Sequence, residues 1–185
     1  GVVHIGGDSA GVNTGTYGLT VRTDRKVFRT GDFVMGFTTS FRMGQLLAFG
    51  FSPPLPRSGD DLMAYMVNDF IEAVRSRLRL GGFSSVSNNT EAGGTFLVGY
   101  QGRLFHIGDD YQVGEAGCQF DACGSGASVA LGSLRSTRDW PDPKARLREA
   151  LETAEAFNAG VRAPFFFEQA GDPVRVARSL AEAAE

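Results

Sequence analysis

The sequence predicts an α+β fold in which two antiparallel sheets stack between helical layers, and three features carry that expectation. Two pairs of short apolar runs, Lys26–Arg29 with Phe33–Phe37 and Thr95–Tyr100 with Arg103–Ile107, are joined by turn residues and read as hairpins. Each pair is followed by two stretches of helical periodicity. The full order is strands, two helices, strands, two helices, strand and tail. A chain of 185 residues fits one domain spanning 1–185, large enough to bury roughly 70% of the surface its unfolded form exposes.

Gly1 to Asp8 is a β-branched run closed by two glycines and an acid, a buried strand that delivers Asp8 to its end. Ser9 to Gly18, rich in Gly, Ser, Asn and Thr, reads as a loop, with a short strand over Tyr17–Val21 at its far side. Lys26 begins the first hairpin, which turns at Thr30-Gly31-Asp32. Ser40 follows it, placed to cap a helix holding Met43, Leu46, Leu47 and Phe49. Pro53, Pro54 and Pro56 mark a surface loop, and Ser58 or Asp60 starts the next helix.

From Leu62 to Leu80 apolar residues recur every four positions at Met66, Phe70, Val74 and Leu78. That is a long amphipathic helix, with Arg75, Arg77 and Arg79 on its solvated face. The polar tract Ser84–Gly94 reads as a loop or disordered turn before the second hairpin, which turns at Gln101-Gly102. Trp140-Pro141-Asp142-Pro143 breaks the chain ahead of a helix over Lys144–Phe157, with Leu147, Leu151, Ala154 and Phe157 on one side. Phe165–Phe167 is a strand, and Asp172–Glu185 is an alanine-rich helical tail.

Composition excludes several classes. A hydrophobic fraction of 42% with 21% charged residues is that of a folded soluble protein rather than a disordered one. A net charge of −3 with no basic stripe among aromatics gives no footprint for nucleic acid. No apolar run approaches the ~20 residues that cross a bilayer, and the start has no signal-peptide pattern, so no membrane partner and a cytoplasmic location are expected. Cys118 and Cys123 fall on opposite faces of one expected strand, which disfavours a disulfide. His4 and His106 are embedded in strand-like segments, so neither a metal site nor a cofactor is expected.

The stretch Gly117–Leu134 organises the chain. An apolar strand over Cys118–Cys123 ends in Gly124-Ser125-Gly126, after which Ala127, Ala130, Leu131 and Leu134 recur at helical spacing. Glycines flanking a serine allow a sharp turn and close backbone approach, and they leave the first helical N–H groups free to bind something polar. Ser125 stands at that opening as either a helix-cap turn or a site hydroxyl.

Taken together, Val2–Asp8, Lys26-Val27-Phe28, Phe33–Phe37 with Thr38-Thr39-Ser40, Phe96–Ile107 and Ala122-Cys-Gly-Ser-Gly through Gly132 resemble the proteasome β-subunit group. Its bacterial relative, the peptidase ring of the heat-shock ATP-dependent protease, shares the pattern, and Ala150-Leu151 with Ala154 extends it through the next helix. The resemblance implies a four-layer αββα sandwich of the N-terminal-nucleophile hydrolase type. In that family a threonine at the mature N-terminus attacks a peptide carbonyl, activated by a lysine, an acid and its own α-amine.

By position, the resemblance makes Asp8 the acid, Lys26 the cation and Ser125 the hydroxyl that holds the amine, with backbone N–H groups at Thr39 or Ser40 facing the oxyanion. It implies a homo-oligomeric ring, because a closed assembly hides an unselective nucleophile. It also implies a peptide or unfolded-protein substrate and an ATPase unfoldase as partner.

The family pattern places the nucleophile about nine residues before Gly1. Cutting at Gly15-Thr16 would detach Asp8 from the site, so that threonine is no substitute. Ala10 stands where the family often has arginine, Thr39 or Ser40 where it has glycine, and no aspartate near Asn158 matches the one that often assists the serine. Three readings follow: a threonine-type peptidase subunit, a structural ring subunit without chemistry, or an amidase of the same fold acting on a small amide.

Overall fold

The computed structural model describes residues 1–87 and 90–171. The helix expected over Asp172–Glu185 lies outside them. β4 (Val27–Thr30) and β5 (Phe33–Phe37) form the first hairpin, β8 (Phe96–Tyr100) and β9 (Arg103–Ile107) the second. Together with β10 (Val113–Glu115) they make an antiparallel five-stranded sheet in the order β10-β9-β8-β5-β4. Gly31 takes φ 56°, and Gln101 and Gly102 take φ 47° and 77°, the left-handed turn conformations that two-residue hairpins require. β1 (Val3–Gly7) pairs antiparallel with β11 (Phe166–Ala170).

Every residue of β5 and β8 is buried, because both faces of the sheet are covered. Phe33, Met35, Phe37, Phe96, Val98 and Tyr100 share one cluster with Met43 and Leu47 of α1 (Phe41–Gly50) and Val74 and Leu78 of α3 (Ile71–Leu80). The Phe33 and Tyr100 rings stack within it at 3.8 Å. Alternate residues Val34 and Leu97 point the other way and meet Val3, Ile5 and Ala170 of β1 and β11. α5 (Pro143–Phe157) packs on α4 (Ala127–Ser136) and on β1. Gly36 and Gly99 set how closely β1 approaches: a Cβ there would come within 2.7 Å of Ile5 and 2.6 Å of Val3.

Several local expectations are corrected. Cys118–Cys123 is not a strand; the segment runs irregularly into the α4 turn, and Asp121 bonds to its own neighbour Ala122 N–H and to His106 instead of a ladder. Ser9–Gly18 is not simply a loop: β2 (Ala10–Asn13) pairs with β3 (Gly18–Val21). Within Ser84–Gly94, β6 (Ser85–Ser87) pairs with β7 (Thr90–Ala92).

The second helical region starts at neither Ser58 nor Asp60 but at Asp61, whose carboxylate caps α2 (Leu62–Tyr65) by accepting from Ala64 N–H. A π-helical turn over Met66–Phe70 joins α2 to α3. Arg75 and Arg79 do not simply face solvent, since both pair with Glu91 of β7 and hold that hairpin against the helix. Phe49 and Phe157, grouped with the apolar residues of their helices, lie in the last turns, beyond the packed surface, and are exposed.

Candidate functional site

The end of β1 reaches the start of β4 because Gly7 carries no side chain: a Cβ there would lie 2.9 Å from Val27 Cγ1 and 3.4 Å from Lys26 Cβ. Asp8 therefore stands beside Lys26. Lys26 Nζ donates to Asp8 Oδ1 at 2.6 Å, and the two side chains are only 14% and 12% exposed. Asp8 Oδ2 accepts the N–H groups of Ala10 at 2.8 Å and Arg162 at 3.1 Å. Three donors hold the carboxylate in one orientation, and it in turn fixes the ammonium in one place.

The second wall follows β5. Thr38 N–H donates to Thr95 O, Thr39 takes the left-handed φ of 68°, and Thr39 Oγ1 accepts from Thr95 N–H at 3.1 Å. Ser40 caps α1 by accepting from Arg42 N–H, as its sequence position predicts. The helix has no acidic residue in its first turn, so the positive end of its dipole is not neutralised by its own side chains. Phe41 lies under the Arg22 guanidinium at 3.9 Å and 5.7 Å from Lys26 Nζ.

The third wall is the turn before α4. Gly124, at φ 100°, brings this turn against Thr38, where a Cβ would come 3.0 Å from Thr38 Oγ1. Asp8, Lys26, Thr39, Ser40 and Ser125 all line one cavity of ≈ 290 Å³. Five residues singled out in the sequence, from four separate segments, thus share one space. Cys123 also lines it, but burial pushes its thiol up to about 12, with the negative charge of Asp121 adding to the effect and Lys26 opposing it. A thiol held neutral at physiological pH is a poor nucleophile.

Sequence reasoning missed the segment behind this turn. Asn158 Nδ2 donates to Ser125 O at 2.8 Å, and Asn158 Oδ1 accepts from Gly160 N–H at 2.8 Å. The buried Ser9 ties its N–H to Arg162 O and its hydroxyl to Pro164 O. These partners lie far apart in the chain, and no local pattern marks them. Among the described residues no group of three or more His, Cys, Asp or Glu is placed to hold a metal ion, and no helix is long and apolar enough to cross a membrane.

Neither protein-family models nor the curated proteins give a match to the chain. Solved structures do match. Thiobacillus denitrificans BPH in complex with epoxomicin superposes with a TM-score of 0.72 at 22% identity, over 91% of this chain and 92% of that one. HslV from Trypanosoma brucei gives 0.62 at 16% identity, over 91% and 92%. Anbu, an ancestral β-subunit from Yersinia bercovieri, gives 0.58 at 15% identity, over 90% and 76%. The resemblance carried by Val2–Asp8, Lys26-Val27-Phe28 and Gly124-Ser125-Gly126 therefore extends through the backbone, and the chain has a mixed α and β fold whose structural neighbours are proteasome-like relatives of the N-terminal-nucleophile hydrolases.

Proposed function

We propose that this chain is a proteasome-like, threonine-type peptidase subunit that works within a homo-oligomeric ring on peptides or unfolded protein. On this reading the two sheets and the helices against them are the layers of an αββα sandwich, and the cavity at Asp8 and Lys26 is the active site. The observation that carries it is the sequestered Lys26–Asp8 pair at 2.6 Å facing Ser125 and the start of α1 across one cavity.

The nucleophile comes from residues preceding Gly1. β1 pairs with β11 along one edge, and cavities of ≈ 290 Å³ and ≈ 410 Å³ lie at its two ends, lined by Gly7 and Asp8 and by Val2, Val3 and His4. A strand that turns at Gly1 and runs back antiparallel along β1 needs about as many residues as lie between Gly1 and Asp8. A threonine about nine positions upstream of Gly1 then ends opposite Asp8.

There its hydroxyl passes a proton to its own α-amine, which titrates near pH 8, and the oxygen attacks the peptide carbonyl carbon. The Lys26 ammonium, fixed by Asp8, stabilises the deprotonated oxygen. Ser40 N–H is already given to Thr38 O, whereas Thr39 N–H has no acceptor among the described residues, which favours Thr39 N–H as the oxyanion donor. The amine then protonates the departing amide nitrogen as the C–N bond breaks, and water hydrolyses the resulting ester. Ser125 hydrogen-bonds the amine, and an ATPase unfoldase supplies extended substrate.

The test is hydrolysis of fluorogenic peptides by the complete gene product beside its Lys26→Ala variant. Turnover that falls by about 10²-fold or more in the variant supports the reading. A folded, ring-forming product with no turnover and no reaction with epoxomicin, the compound bound to the Thiobacillus denitrificans relative, leaves a structural subunit.

A further inference from the structure

We propose that Gly94 and Thr95 are positioning residues for the oxyanion donor: together they strap the turn at Thr39 and so fix the direction of the Thr39 N–H. This rests on the reading of that N–H as the group facing the oxyanion. Thr38 O accepts Ser40 N–H at 2.8 Å around Thr39 at φ 68°, a three-residue turn of the kind that is rare and strained. A β-branched residue keeps such a conformation only where its surroundings hold it there.

Thr95, the residue before β8, holds it twice. Its carbonyl accepts Thr38 N–H at 3.1 Å, and its N–H donates to Thr39 Oγ1 at 3.1 Å. N–H groups at the end of β5 alternate in direction: Phe37 donates to Lys26 O at 3.0 Å and Thr38 to Thr95 O on the other side, so Thr39 N–H turns back to the side of Lys26. Thr38 O and Thr39 N–H belong to one planar peptide, and the Ser40 bond to that oxygen fixes the plane. Gly94 lets the strap lie this close, since a Cβ there would come 2.6 Å from Met43 Sδ and 3.2 Å from Thr39 Cβ, and Met43 is fully buried. The strap is anchored behind. Gly93 N–H donates to Asp109 O at 2.8 Å, a Cβ on Gly93 would meet Tyr111 Cζ at 2.7 Å, and Glu91 is clamped by Arg75 and Arg79.

In the complete protein, Gly94→Ala presses on Thr39 and lowers kcat about 10- to 100-fold with KM nearly unchanged, since the substrate is still bound but the oxyanion donor is misplaced. A merely structural role would lower the melting temperature and leave kcat per folded molecule as it was. Glycine at 39 takes a positive φ freely and offers the new methyl nothing to push, while Thr38 N–H keeps Thr95 O. The double variant Gly94→Ala/Thr39→Gly therefore returns to the turnover of Thr39→Gly alone. Equal losses from Gly94→Ala in the wild-type and Thr39→Gly backgrounds, or a change confined to KM, overturn the strap.

Should Gly94→Ala not fold, or the wild type hydrolyse no peptide, amide hydrogen exchange in the wild-type protein decides the strap, and only the second case also defeats the peptidase reading. Slow exchange at Thr38 and Ser40 beside fast exchange at Thr39 supports it, and exchange at Thr38 as fast as at Thr39 overturns it.

Discussion

Arg162 and Asp8 are separated by 154 positions in the chain, yet Arg162 N–H donates to Asp8 Oδ2 at 3.1 Å. That bond joins the segment after α5 to the end of β1, and it orients the carboxylate so that its other oxygen meets Lys26. The site therefore depends on strand and loop packing as much as on its own side chains.

Removing one member of the Lys26–Asp8 pair should cost more than removing both. Asp8→Ala leaves a largely buried ammonium unpaired and destabilises by about 2–4 kcal/mol, whereas Asp8→Ala with Lys26→Met recovers much of that loss. Both variants should lose about 10²-fold or more in peptide hydrolysis. Denaturant melts of the two variants beside turnover check it; equal destabilisation by the single and double variants would count against the geometry.

Thr39 holds a left-handed φ of 68° that a β-branched residue adopts at a cost. Thr39→Gly releases roughly 1 kcal/mol of strain and gives up the bond from Thr95 N–H, worth about as much. Stability should change by less than about 1 kcal/mol, and turnover should stay within a few-fold of wild type if, as proposed, Thr39 acts through its backbone N–H alone. A collapse of kcat would assign the side chain a role that the backbone reading omits.

Gly99 sits where Val3 and Val34 close over the sheet. Gly99→Ala forces a methyl to within 2.6 Å of both and should destabilise by about 1–3 kcal/mol, read as a lower calorimetric melting temperature.

Glu91 contributes to the acid sensitivity of the fold. Its hydrogen bond with Arg79 is the largest influence, opposed by partial burial and aided by Ser84 and Arg75, and its carboxyl is held at about 2, below the ordinary 4.5. A depressed folded pKa contributes stability that is present above about 4.5 and is lost as pH falls towards 2. Glu91→Gln should lower the melting temperature at pH 7 by roughly 2–6 °C, and the difference should vanish by pH 2. A gap independent of pH would mean that Glu91 acts through packing alone.

Much of this was legible in the chain. Alternation and turn residues marked the two hairpins, four-residue spacing marked Met66, Phe70, Val74 and Leu78, and Ser40 marked the start of α1, because these signals are local. Asp8, Lys26, Thr39, Ser40 and Ser125, which line one cavity, are picked out by a pattern of segments rather than any one motif. The strand over Tyr17–Val21 is expected and seen as β3, but its partner β2 and the β6–β7 hairpin are not read from the sequence, because Gly, Asn, Ser and Thr also compose loops. The β6–β7 hairpin is further held by Glu91 bonding to Arg75 and Arg79 of the neighbouring helix, a contact that no local pattern marks. Cys118–Cys123 misled because an apolar run was read as a strand, although no neighbour offers it a ladder. Asn158 looked like a mismatch since its contact is with the Ser125 carbonyl, and backbone partners leave no trace in residue type.

The central claim is that a threonine upstream of Gly1 is placed at Asp8 and Lys26, and the intact mass of the complete gene product tests it most directly. The protein is weighed before and after incubation with an electrophile that captures N-terminal threonine, beside the Lys26→Ala variant. The account predicts a mature chain beginning with threonine about nine residues before Gly1, gaining one adduct in the wild type and little in the variant. A mature chain without that threonine, unlabelled in both, would contradict it and leave the Lys26–Asp8 pair as a structural tie.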